Sequence, residues 1–128
     1  MKILSLLAFL CCFMSVKAQA PDCAKFKNGS FEYPDLRGKL SVREGSVQKS
    51  FNNGNLEMLW DVRWISECEY ELTCKKVYVK GIPARKGDRI YVKIIETDED
   101  CFTSETILYN NDFPSGSKVM SSTMCFKQ

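Results

Sequence analysis

The chain has 128 residues, and the first 18 read as an export signal, which leaves a length suited to one small domain. Without Lys2 and Lys17, sixteen basic residues face sixteen acidic ones, and a near-neutral mature surface argues against a nucleic-acid binder, whose affinity comes mainly from neutralising phosphates. Histidine is absent, which removes the usual general base of hydrolases and the commonest zinc ligand.

At the N-terminus, Lys2 supplies the charged start, residues 3–16 the apolar stretch, and Val16-Lys17-Ala18 a small-x-small cleavage site. Cleavage after Ala18 is favoured over cleavage after Ala20, which would put Pro21 just past the scissile bond. Cys11 follows Phe9-Leu10 and Cys23 follows Pro21-Asp22, so neither sits in the small-residue setting of a lipid-anchored cysteine. The apolar stretch is too short for a lasting membrane span and no later run matches it. The expectation is an exported protein, periplasmic or extracellular, with a single domain over residues 19–128.

Downstream, apolar residues recur every second position. In residues 58–64, Met58, Trp60, Val62 and Trp64 share one face and Asp61 and Arg63 the other. The next segment sets Tyr70, Leu72 and Cys74 inward and Glu69, Glu71, Thr73 and Lys75 outward. Further strands are predicted over 26–33, 40–43, 47–51, 88–97, 102–109 and 117–126. Glu44-Gly45-Ser46, Asn52-Asn53-Gly54-Asn55 and Asp98-Glu99-Asp100 supply tight turns between them. Residues 81–87 and 110–116 form the longer connections. The predicted fold is all-β: an antiparallel meander of about eight short strands curled into a small barrel, closed or incomplete, with a two-layer sandwich as the alternative.

Five cysteines remain after processing: Cys23, Cys68, Cys74, Cys101 and Cys125. An oxidising compartment makes disulfides the default. If the last two strands form a hairpin about Phe113, Cys101 and Cys125 fall opposite each other, at a Cα separation of roughly 4.5–5.5 Å that a disulfide spans. Cys68 and Cys74, about six residues apart on one strand, are roughly 20 Å from each other and cannot bond. Cys23 is left to pair with one of them.

Three segments carry a resemblance: residues 23–33 (CAKFKNGSFEY), 64–72 (WISECEYEL) and 86–94 (KGDRIYVKI). In that order they resemble a family of small exported proteins of Bacteroidetes-type bacteria, with the pattern Cys-x2-Phe-Lys-x-Gly-x-Phe … Trp-x3-Cys-x-Tyr-x-Leu. The resemblance spans most of the mature chain and brings no activity with it. It implies a Cys23–Cys68 bridge, which leaves Cys74 as a buried free thiol. Cys101 and Cys125 stand outside the pattern, and their pairing rests on register alone.

Candidate sites follow from what the pattern leaves over. The inward aromatic row of Trp60, Trp64 and Tyr70, with Phe26, Phe31 and Phe51, either lines a pocket for a small apolar molecule or simply fills the core. The lipocalin G-x-W signature is absent, since Gly29 is followed by Ser30-Phe31. Lys75, Lys76, Lys80, Arg85 and Lys86 open a basic stretch suited to an anionic envelope surface or an acidic partner, or to a solvated, lysine-guarded edge. The acidic run at 96–105 lacks the spacing and glycine of a calcium loop. Asn28-Gly29-Ser30 reads as a turn or bulge and Lys86-Gly87-Asp88 as a loop entering a strand. No catalytic constellation, metal site or cofactor is expected. The function expected first is a non-enzymatic binding or interaction module, and the alternative is a lipocalin-like carrier of a small apolar ligand.

Overall fold

A computed structural model describes residues 20–128; the expected leader lies outside the described residues. A short 3-10 turn, Ala24–Phe26, precedes eight strands: β1 Gly29–Glu32, β2 Lys39–Glu44, β3 Val47–Asn52, β4 Asn55–Ser66, β5 Glu69–Val77, β6 Arg89–Thr97, β7 Cys101–Tyr109 and β8 Met120–Phe126. Each strand pairs antiparallel with the next, and β8 returns to β1, so the sheet is a closed barrel and neither an open curl nor a sandwich. Phe26, expected in the first strand, belongs to the 3-10 turn instead.

Turn chemistry sets the meander. At the β3–β4 tip, Asn53 and Gly54 both have positive φ (49° and 81°), as a two-residue hairpin loop requires. Asp98 holds the β6–β7 tip, where its Oδ1 accepts from the amides of Asp100 and Cys101. Single extra residues in β4, β5 and β6 shift the register at four places: Glu57, Ile65, Lys75 and Ile95 each lack an opposite number. Such bulges increase local twist and let long strands curl into a small barrel.

Alternate hairpins of a meander lie at opposite ends. One end gathers the 3-10 turn, the β2–β3, β4–β5 and β6–β7 tips and the C-terminus; we call it the plugged end. Phe26 covers it, stacked on Phe126 at 5.0 Å and 5.0 Å from Phe102, while Phe31 meets Phe102 edge-on at 5.5 Å. Both disulfides brace the same end: Cys23–Cys68, with Cα atoms 5.3 Å apart, and Cys101–Cys125, 4.0 Å apart. Cys68 sits in the β4–β5 turn and not in a strand, which frees it to reach Cys23. Cys101 and Cys125 are direct partners in the β7–β8 ladder, closer than a typical pair. The other end, the rim, carries residues 33–38, the Asn53-Gly54 tip and the two longest loops, 78–88 and 110–119.

The core runs down the barrel axis through Phe31, Trp60, Val62, Tyr70, Leu72, Val92, Ile94, Phe102 and Met124. β2 and β3 invert the usual polarity. Ser41, Arg43 and Gln48 are buried, and Ser50 accepts the Trp60 indole N–H at 3.0 Å inside the barrel. Leu40 and Phe51, which pair with each other, therefore face outward. Phe51 belongs to the outer wall and not to the inward aromatic row. The outward faces of β4 to β6 carry Asp61, Arg63, Glu69, Glu71, Arg89 and Lys93, a water-facing exterior that is the reverse of a lipid-facing barrel's apolar band.

Candidate functional site

The barrel interior is built around one cation. Arg43 is 1% exposed. Its guanidinium donates to Gln48 Oε1 at 3.2 Å and to the Phe26 carbonyl at 3.3 Å. It also lies 4.4 Å from the Tyr70 ring centre, 5.1 Å from Phe31 and 5.6 Å from Trp64. Among the described residues no carboxylate pairs with it, and its Nε has no hydrogen-bond partner. Three aromatic faces and two bonds thus replace the counter-ion that a buried charge ordinarily needs. Beside it, Tyr33 and Ser41 share a hydrogen bond of 2.8 Å between their hydroxyls, and burial pushes the Tyr33 phenol above its ordinary range.

This arrangement joins the predicted aromatic residues into one packed body. Trp60 and Tyr70 are buried, Trp64 is half-buried with its ring 4.6 Å from Tyr70, and Phe26 and Phe31 close the floor. Sequence patterning missed Arg43, because a basic residue in a period-2 strand is ordinarily assigned to the water side. Among the described residues Cys74 is the free thiol, buried, and its burial, aided by Asp88, raises its pKa.

The larger recesses open on the outer wall. One, of about 730 Å³, is lined by Pro21, Lys25, Pro34, Ile95, Thr103 and Thr123 among others. A second, of about 1060 Å³, runs over Tyr33, Leu36, Leu40, Phe51, Phe126 and the C-terminal residues. Both touch Pro34, Cys101 and Cys125, so they flank the seam where the barrel closes. The seam has a plain cause. β1 is four residues long and pairs with β8 only at Phe31–Phe126 and Glu32–Cys125, whereas β8 pairs with β7 over six positions. A third recess of about 190 Å³ lies between the two long rim loops. None of the three is lined by Trp60, Trp64 or Tyr70.

The basic stretch is divided by the fold. Lys75 lies 4.0 Å from Asp61 on the outer wall. Lys76 sits over the Tyr78 ring at 4.8 Å. Lys80, Arg85 and Lys86 are exposed on the 78–88 rim loop. On the same outer wall, Tyr91 donates to Glu69, whose other oxygen accepts from Ser66. The bond to Glu69 raises the Tyr91 phenol to about 12, and the two hydroxyls hold the Glu69 carboxyl below its ordinary value. Glu71 is bridged by Arg63 and Arg89. Among the described residues no group of three potential metal ligands converges. No protein-family model, curated protein or solved structure matches the chain, so a reading of function rests on this geometry.

Proposed function

We propose that the protein is an exported, non-enzymatic binding module that contacts its partner through the outer wall at the barrel seam. The observation that carries this is the contrast between a cross-braced interior, spanned by Arg43 and its aromatic neighbours, and two sizeable recesses outside it that share Pro34 and the Cys101–Cys125 bridge. Ligand sites are concave, with a largely apolar lining and a few placed polar groups. The wider recess has that makeup, with Leu36, Leu40, Phe51 and Phe126 beside Arg37, Lys39 and the C-terminal residues. The two bridges fit an oxidising compartment, which supports export.

The rival carrier reading draws on the closed eight-stranded barrel itself, a shape that elsewhere encloses one small ligand. One experiment separates the two. A photo-crosslinking residue replaces Thr123 in the seam or Thr73 on the far wall, and the protein is also recovered from the exporting cell for native mass spectrometry. The seam position is expected to give a defined adduct and the far wall none, with no small molecule retained. A stoichiometric apolar molecule that quenches Trp60 and Trp64 emission would establish the carrier instead.

A further inference from the structure

The rim combines exposed apolar side chains with cations in a way that the rest of the surface does not. Of the seven large apolar residues left exposed among the described residues, five stand at this end: Leu36, Tyr78, Phe113, Val119 and Met120. The other two, Ile65 and Ile95, are bulge residues near the plugged end, exposed because the ladder has no opposite position for them. Leu36 and Val119 are each 55% exposed and Phe113 45%, so these are not core residues glimpsed at an edge. Three of the five are set beside a cation: Leu36 beside Arg37, Val119 beside Lys118, and Tyr78 between Lys76 and Lys80.

Charge is sorted along the barrel axis as well. The rim loops carry Arg37, Lys80, Arg85, Lys86 and Lys118 against Asp35, Asp88 and Asp112. Asp88 is already engaged by the Arg85 amide at 2.9 Å. The plugged end carries Asp22, Glu44, Glu67, Asp98, Glu99 and Asp100 against Lys25, Lys27 and Lys127. A near-neutral protein is thereby made dipolar, basic at the rim and acidic at the plug.

From this we infer that the rim docks on an anionic lipid surface, with the barrel axis held toward the membrane by the charge asymmetry. Four of the apolar residues come one or two to a loop from three separate loops, around a ring, and Met120 opens β8 next to Val119. That arrangement suits a flat interface in which single side chains dip below the headgroups while lysines and arginines stay at their level. A protein partner would call for one contiguous patch. Each basic residue near such a surface contributes about fivefold to partitioning, and salt weakens it.

The test is co-sedimentation with vesicles of phosphatidylglycerol and phosphatidylcholine, against vesicles of phosphatidylcholine alone. Binding is expected only to the anionic vesicles and falls with added salt. The triple change Lys80→Gln, Arg85→Gln, Lys86→Gln weakens it on the order of 100-fold. Tyr78→Ser with Val119→Ser also weakens it, whereas Lys25→Gln, Lys27→Gln, Lys127→Gln at the plugged end leaves it intact. Circular dichroism checks that each variant keeps its strands. Lys80, Lys86, Tyr78 and Val119 lie outside the seam recesses, so failure here is distinguishable from failure of the seam reading. Equal binding to both vesicle types, no binding at low salt, equal loss in the plugged-end variant, or a rim-dependent dimer in solution would overturn the inference.

Discussion

Arg43 is the residue on which the interior turns, and two substitutions at it separate packing from charge. Arg43→Ala removes a large buried side chain and leaves a cavity among Tyr70, Phe31 and Trp64, at a cost of about 2–5 kcal/mol. Arg43→Met fills most of that volume and removes a buried, unpaired charge, an exchange that is often neutral. The Met variant is therefore expected to unfold at higher urea than the Ala variant; equal midpoints would mean that the bonds to Gln48 and Phe26 outweigh the packing. On the outer wall, the bond between Tyr91 and Glu69 makes a pH prediction of known sign. Phenols of an unfolded chain ionise near 10, and Tyr91 in the folded chain only at about 12. Its contribution to stability is whole below the lower value and is lost as pH rises toward the upper one. For Glu69, whose carboxyl is lowered, the contribution is present above the ordinary carboxylate range and lost in acid. In Tyr91→Phe, carboxyl NMR titration should place Glu69 nearer its ordinary range; an unchanged curve would show that Ser66 alone holds it.

Among the elements, β1 is the weak link because it is short and its closure onto β8 is two residues long. Its first residue, Gly29, has φ +147°, and a Cβ there would come within 3.0 Å of the Phe126 ring and 3.2 Å of Phe31. Gly29→Ala thus strains the backbone and presses on the ring pair that closes the barrel, at a cost of about 1–3 kcal/mol. Thermal unfolding measures that cost, and hydrogen exchange should show the added opening at the Lys127 amide, bonded to the Ser30 carbonyl, more than in β4–β5. The neighbouring β7–β8 hairpin is tied by its bridge. Cys101→Ser removes the closure of a 24-residue separation, worth about 3–4 kcal/mol in the chain-entropy account. Free alkylation of Cys101 in the native, non-reduced protein would contradict that bridge. This hairpin was readable in the sequence, because one turn position fixes every facing pair in an antiparallel ladder. The strands and the inward rows of β4 and β5 were readable for a similar reason: their faces differ sharply in polarity. β2 and β3 were not. Alternation alone does not say which face turns inward, and here the barrel takes Ser41, Arg43, Gln48 and Ser50 inside and leaves Leu40 and Phe51 to line the seam recess. The seam itself had no local signal, since it arises from the mismatch between a short first strand and a long last one.

Over the whole molecule, covalent and aromatic bracing is concentrated at one end and loop length at the other. Both bridges, the phenylalanine cluster and the 3-10 turn secure the plugged end, while the 78–88 and 110–119 loops have neither bridge nor strand ladder. Exposed loop tips are where a native chain is nicked first. Trypsin is therefore expected to cut after Lys80, Arg85, Lys86 and Lys118, all exposed, before it attacks the barrel wall. The bridge connectivity then dictates what a denaturing gel shows. A cut in 78–88 falls between the two crosslinked stretches, because Cys23–Cys68 lies wholly before it and Cys101–Cys125 wholly after it. Two separate pieces should run even without reductant. A cut after Lys118 falls inside the loop closed by Cys101 and Cys125, so its pieces stay joined until the bridge is reduced. The nicked protein should nonetheless keep its sheet before denaturation, because the β5–β6 and β7–β8 ladders do not pass through the cut loops. First cuts within β4 or β5, or pieces from the 78–88 cut that separate only on reduction, would contradict this division into a braced plug and an accessible rim.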